Sequence, residues 1–137
     1  MHKTVNDIIA KKGSKKISVV TSYDYTMATL CDQVDILLVG DSAGMVMLGY
    51  ENTAPVTMDD MVLFTKAVSN ARENALIVAD LPNKSYENEA DAVANSGRLI
   101  RAGADAVKLE GRLPDIIRAI IKAGIPVMGH LGLLPQT

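Results

Sequence analysis

The chain has 137 residues, 48% of them hydrophobic, with 14 Lys and Arg against 16 Asp and Glu, enough apolar content for one real core. A formal net charge of -2 leaves no basic face for a phosphate backbone and argues against nucleic acid as a partner, while one cysteine excludes an internal disulfide or a multi-cysteine zinc site. No apolar run approaches the roughly 20 residues that span a bilayer, and the first residues lack the apolar segment of a secretion signal, so a cytoplasmic protein without membrane contact is expected.

The first element is a short leading helix in "VNDIIAKK", from Val5. Short apolar runs then alternate with longer segments of helical period, the mark of parallel βα units. The runs start at Lys16 (KISVVTS), Asp35 (DILLVGD), Ala75 (ALIVAD), Asp105 (DAVKLEG) and Ile125 (IPVMGH), which makes five strands. A helix from about Tyr25 to Gln33 joins the first two. The stretch from Ala43 to Pro55 reads as a long loop, of a length that is often functional. The next helix lies in "TMDDMVLFTKAVSNAREN", with Met58, Met61, Val62, Thr65 and Val68 on one stripe and Thr57 and Asp60 as a capping box. In "YENEADAVANSGRLIRAGA" the stripe is Ala90, Val93, Ala94, Gly97 and Ile100, and the helix stops at Gly103. "LPDIIRAIIKAGI" opens on a proline and stops at Gly124. Cys31 reads as a small core hydrophobe.

Side chains alternate along a strand, which groups Leu37 and Val39 with Asp41, Leu76 and Val78 with Asp80, and Ala106 with Lys108 and Glu110. Three successive strands thus carry a carboxylate at or just past their C-terminal ends, the functional edge of any parallel α/β sheet. Strands about 4.8 Å apart would bring these acids together, where they repel one another unless a cation sits among them. Hard oxygen donors with no cysteine point to Mg²⁺ completed by waters or substrate oxygens. Spacing alone leaves Lys108 either as a functional cation or as a neutralising neighbour. His130 stays open between base, ligand and structural histidine, and Asp24 between the same edge and a helix cap. Tyr23 can reach that edge. Gly40 and Gly44 form no phosphate-binding fingerprint, and their simplest role is a tight turn.

The ordered motifs "TSYDYTMA", "VGDS", "DLP", "K-x-E-G" and "GH-x-G-x-x-PQ" resemble those of the ketopantoate hydroxymethyltransferase family over nearly the whole chain. The resemblance implies a (β/α)8 TIM barrel of the phosphoenolpyruvate-binding type, related to isocitrate lyase and phosphoenolpyruvate mutase, of which residues 1–137 supply the N-terminal part with about five strands. It implies transfer of a one-carbon unit from 5,10-methylenetetrahydrofolate to 3-methyl-2-oxobutanoate, giving 2-dehydropantoate for pantothenate and coenzyme A synthesis, by a homo-oligomer. Mg²⁺ would be held by Asp41 and Asp80, with Glu110 as a further ligand or a group beside them. Asp41, Ser42, Asp80 and Lys108 would contact the keto acid, whose enolate Mg²⁺ and Lys108 stabilise. Asn83, Lys84 and Arg112 depart from the family's usual continuation after "DLP" and "EG".

The family's general base, a glutamate, falls outside this sequence, so no catalytic base is assigned here. A half-barrel has open edges and is expected to be unstable and inactive by itself. Two rival readings share the strand pattern: another Mg²⁺-dependent 2-oxo acid lyase or mutase, and a receiver-like signalling domain. The second lacks the paired acids after strand one and the lysine after strand five. A third reading is a catalytically inactive fragment.

Overall fold

In the computed structural model, which describes residues 1–136, five parallel strands form one sheet. They are β1 (Val19–Thr21), β2 (Ile36–Val39), β3 (Leu76–Asp80), β4 (Ala106–Glu110) and β5 (Val127–His130). The helices are α1 (Val5–Ile9), α2 (Tyr25–Cys31), α3 (Ala43–Val46), α4 (Met58–Ala71), α5 (Glu89–Arg101) and α6 (Pro114–Lys122). All five expected strands are present. Their spatial order equals their chain order, so the sheet winds in one direction as a barrel wall does. A receiver-like domain needs a reversal of strand order, and none occurs.

The sheet has two unlike faces. Leu37, Val39, Ile77, Ala79, Val107 and Leu109 point towards the helices and share a core with Met61, Val68, Leu99 and Ile120. The register pairs Leu38 with Val78, Val78 with Ala106 and Lys108 with Met128, so these residues line the opposite face. There Ile36, Leu76, Val78 and Ala106 form a second apolar cluster, with Val5 and Ile8 of α1 packed on it. The leading helix therefore covers the inner face, at a site its own sequence does not reveal. Lys11, just beyond it, reaches Asp35 at 2.5 Å, and Asp35 also accepts from the Ser18 backbone at 3.0 Å.

The Lys11 hydrogen bond, helped by Ser18, holds the Asp35 carboxyl down at about 2. Because its ordinary value is higher, the unfolded chain binds the proton first as pH falls. The stabilisation from Asp35 is complete above its ordinary carboxylate range and disappears as pH drops through about 2. In the full-length protein, Asp35→Asn should lower the melting temperature at pH 6 and make little difference near pH 2. A gap between the two melting curves that stays constant across this range would refute the coupling.

Local signals account for several of the helix ends. Thr57 and Asp60 form the expected capping box on α4, and Thr4 and Asp7 form another on α1. Gly103 and Gly124 follow α5 and α6 with φ of +108° and +82°, conformations that L side chains resist. On α5 the stripe is partly rotated from expectation: Val93 and Ile100 pack against the core, but Ala92, Ser96 and Leu99 are the buried residues, while Ala90 and Ala94 are exposed. Alanine and glycine bury too little area to set a helix's rotation, and Leu99 sets it instead. Asp32 is buried and accepts four hydrogen bonds from the Glu73–Ala75 turn, three of them from backbone amides. Burial pushes its pKa up, and the amide hydrogen bonds more than offset that, leaving it below the usual range. Cys31 is partly buried against the helix-side core.

Candidate active site

The C-terminal ends of β2, β3 and β4 converge on a buried polar cluster. Asp80, Lys108 and Glu110 lie on the inner face by strand register, as alternation from Val78 and Ala106 requires. Lys108 Nζ donates to Asp80 Oδ1 at 2.8 Å, and both side chains are largely shielded from solvent. Asp41 arrives differently. Alternation from Leu37 and Val39 would turn it towards the helices, opposite to Asp80, so the three acids do not occupy equivalent strand positions. The strand ends at Val39, and the turn at Gly40 redirects the chain so that the Asp41 amide donates to Asp80 Oδ2 at 3.2 Å.

Gly40 leaves room for the Ser42 side chain in this turn. A Cβ there would lie 2.8 Å from Ser42 Oγ and 3.6 Å from Asp80 Oδ2. Ser42 occupies the cap position of α3, yet its hydroxyl makes no cap bond and pairs with the Tyr23 hydroxyl at 2.7 Å. Gly40→Ala should turn Ser42 away from Tyr23 and cost about 1 kcal/mol, the scale of one hydrogen bond. A denaturant midpoint checks this, and a loss of several kcal/mol would mean that the turn itself cannot adjust.

Burial raises the pKa of both Asp41 and Asp80; each also repels a neighbouring carboxylate, while Lys108 attracts both. Lys108 and three nearby acids leave the cluster short of positive charge, and its donors are hard oxygens. A divalent cation such as Mg²⁺ fits that deficit. Among the described residues no three His, Cys, Asp or Glu side chains gather closely enough to hold an ion by themselves. Glu110 stands aside, with Oε1 at 3.2 Å from His130 Nδ1 and Oε2 accepting from the Gln136 amide at 3.1 Å. A Mg²⁺ bound here would take Asp41 and Asp80 directly and draw its other oxygens from water or substrate.

Gln136 and Tyr86 are the residues that spacing missed. Gln136 Nε2 donates to Asp41 Oδ2 at 2.7 Å and to the Leu81 carbonyl at 2.9 Å, and its Oε1 accepts from the Tyr86 hydroxyl. The motif ending in "PQ" held the only signal for Gln136. A cavity of about 290 Å³ opens beside them, lined by Asn83, Lys84, Tyr86, Glu110 and Gln136 among others. Lys84 takes φ +62° in its wall, an uncommon conformation for a residue with a side chain. Of the residues left open, Asp24 caps α2 through the Met27 amide, and His130 sits opposite Glu110 in the β4–β5 register. Met45 and Met47 are exposed on the α3 segment, and Met61 is core.

The model of the ketopantoate hydroxymethyltransferase family matches residues 2–137. The chain belongs to the ketopantoate hydroxymethyltransferase family. It is 66% identical over 143 residues to the 3-methyl-2-oxobutanoate hydroxymethyltransferase of Nitrosopumilus maritimus (strain SCM1), covering 100% of this chain and 51% of that protein. The chain thus spans about half the length of the curated relatives it matches. Among solved structures it resembles phosphonopyruvate hydrolase in complex with oxalate and Mg²⁺, with a TM-score of 0.74 at 13% identity, over 93% of this chain and 52% of that one. It also resembles 2,3-dimethylmalate lyase, a member of the PEP mutase/isocitrate lyase superfamily, with a TM-score of 0.70 at 18% identity, over 94% of this chain and 51% of that one. At such identities the likeness concerns fold alone: the five-stranded sheet of this chain aligns with about half of each of those chains. No helix among the described residues is long and apolar enough to cross a membrane.

Proposed function

We propose that the full-length protein is a homo-oligomeric, cytoplasmic enzyme that transfers a hydroxymethyl group from 5,10-methylenetetrahydrofolate to 3-methyl-2-oxobutanoate, giving 2-dehydropantoate. Residues 1–137 would form the N-terminal part of its barrel and hold the metal and the keto acid. The observation that carries this reading is the buried pair Asp41 and Asp80, with Lys108 bonded to Asp80, at the strand ends of a chain so close to enzymes of that name.

Asp41 and Asp80 would hold Mg²⁺, and Glu110 would support the site from beside them. Bound there, Mg²⁺ supplies a Lewis acid that polarises the ketone of a 2-oxo acid. Lys108 keeps its ammonium where negative charge develops on the substrate when the proton on C3 leaves, and the charge is worth most in such a buried place. Ser42, held at the site's edge by Tyr23, offers a hydroxyl to the substrate carboxylate. The buried, helix-packed strands hold these groups rigidly before substrate arrives. The base that takes the C3 proton is assigned to none of these residues.

The reading is tested by NMR on the full-length protein with Mg²⁺ and 3-methyl-2-oxobutanoate. Deuterium should enter C3 without folate, and 2-dehydropantoate should form when 5,10-methylenetetrahydrofolate is added. Exchange with no product would favour another 2-oxo acid enzyme of the same barrel superfamily, and neither event would overturn the assignment. A chain ending at residue 137 should show no exchange. If it does exchange, a base lies within it and His130 becomes the leading candidate.

A further inference from the structure

The "PQ" that ends the last motif has no role in the reaction as described, yet its glutamine is buried in the site. Gln136 is 8% exposed, and its side chain spans from the segment after β5 to the turn after β2. Its amide hydrogens face two groups that can only accept, the Asp41 carboxylate at 2.7 Å and the Leu81 carbonyl at 2.9 Å. Those acceptors dictate which side of the amide carries the nitrogen. The oxygen then faces Tyr86, whose hydroxyl donates to it and is itself approached by the Glu110 amide at 3.4 Å. The result is a directional chain: Glu110 N–H to the Tyr86 hydroxyl, Tyr86 to the Gln136 carbonyl oxygen, and the Gln136 amide to Asp41.

We propose that Gln136, oriented by Tyr86, is a positioning residue that fixes the direction in which Asp41 presents its carboxylate to the divalent cation. This rests on the reading of Asp41 as a ligand. With Oδ2 committed to Gln136, the carboxylate is not free to spin, and it meets the cation in one orientation. The chemistry selects glutamine. A glutamate would face Asp41 with a like charge, and a lysine would neutralise Asp41 and compete with the cation. A neutral amide holds the acid while leaving its charge for the metal. Through its own backbone N–H, at 3.1 Å from Glu110 Oε2, Gln136 also ties Glu110 to Asp41. Groups that orient a metal ligand in this way are commonly worth about 10- to 100-fold in metal affinity.

The test uses Mn²⁺ as a probe, titrated into the full-length protein and followed by electron paramagnetic resonance, alongside thermal melts without metal. Gln136→Met, similar in size but without a donor, should weaken Mn²⁺ binding by about 10- to 100-fold. Tyr86→Phe should weaken it less, because the amide survives but loses its orienting partner. In Gln136→Met saturated with Mn²⁺, the zero-field splitting of the resonance should differ from that of the wild type, because Asp41 meets the ion in another orientation, a change that a merely structural glutamine would not produce. Wild-type Mn²⁺ affinity in Gln136→Met overturns the proposal. Should that variant fail to fold, wild-type affinity in Tyr86→Phe does so instead. The two levels separate cleanly: if Asp41→Asn binds Mn²⁺ as the wild type does, the ligand assignment itself has failed.

Discussion

Asp41→Asn and Asp80→Asn, made singly in the full-length protein, are expected to lower hydroxymethyl transfer by at least about 100-fold, since losing a ligand should cost no less than losing a group that orients one. Their effects on stability should differ. Asp41 is buried, and its carboxylate is repelled by Glu110 and Asp80, so an amide there relieves repulsion. The metal-free Asp41→Asn protein should melt at or above the wild-type temperature, and it should lose the rise in melting temperature that Mg²⁺ gives through linkage. Asp80 is the hydrogen-bonded partner of Lys108 at 2.8 Å. Asp80→Asn removes the counter-charge of a largely buried ammonium, so that variant should melt lower. Near wild-type turnover in both variants, measured at saturating Mg²⁺, would remove the metal assignment.

Lys108→Met is expected to reduce kcat/KM by roughly two or more orders of magnitude, the scale of losing one preorganised electrostatic donor. It should also destabilise the protein by about 3–5 kcal/mol, because Asp80 would be left as an unpaired buried charge. The structure shows the pairing with Asp80, one of the two roles that spacing alone left as alternatives, and the loss of kcat/KM tests the other. They are separated by correcting kcat/KM for the folded fraction, measured by thermal melting at the assay temperature. If the corrected kcat/KM stays near the wild-type value, Lys108 serves only to neutralise Asp80. A double variant, Lys108→Met with Asp80→Asn, should recover stability and remain inactive.

Much of this was legible along the chain because local rules govern it. Each strand shows as a short apolar run, and the start of α4 and the ends of α5 and α6 show as a capping box and glycine stops, since backbone conformation is decided within a few residues. The carboxylates of β3 and β4 were legible for the same reason: Asp80, Lys108 and Glu110 lie within their strands, where alternation holds. The rotation of α5 was legible only in part: Val93 and Ile100 pack against the core as expected, but the alanines beside them carry little burial energy and did not reveal that Leu99 is the buried residue.

By itself the sequence determined the parallel βα class, the family, and the residue types of a hard-oxygen site with one lysine. Tertiary structure decided which of those residues meet. Asp41 reaches Asp80 only because the turn at Gly40 breaks the alternation that would have sent it to the helix side. Gln136 reaches Asp41 across 95 residues, and α1 covers the inner face through Val5 and Ile8. Periodicity describes a segment relative to its own axis. Contacts beyond a strand's end, or between segments far apart in the chain, depend on how the sheet curves and closes, which no local pattern encodes.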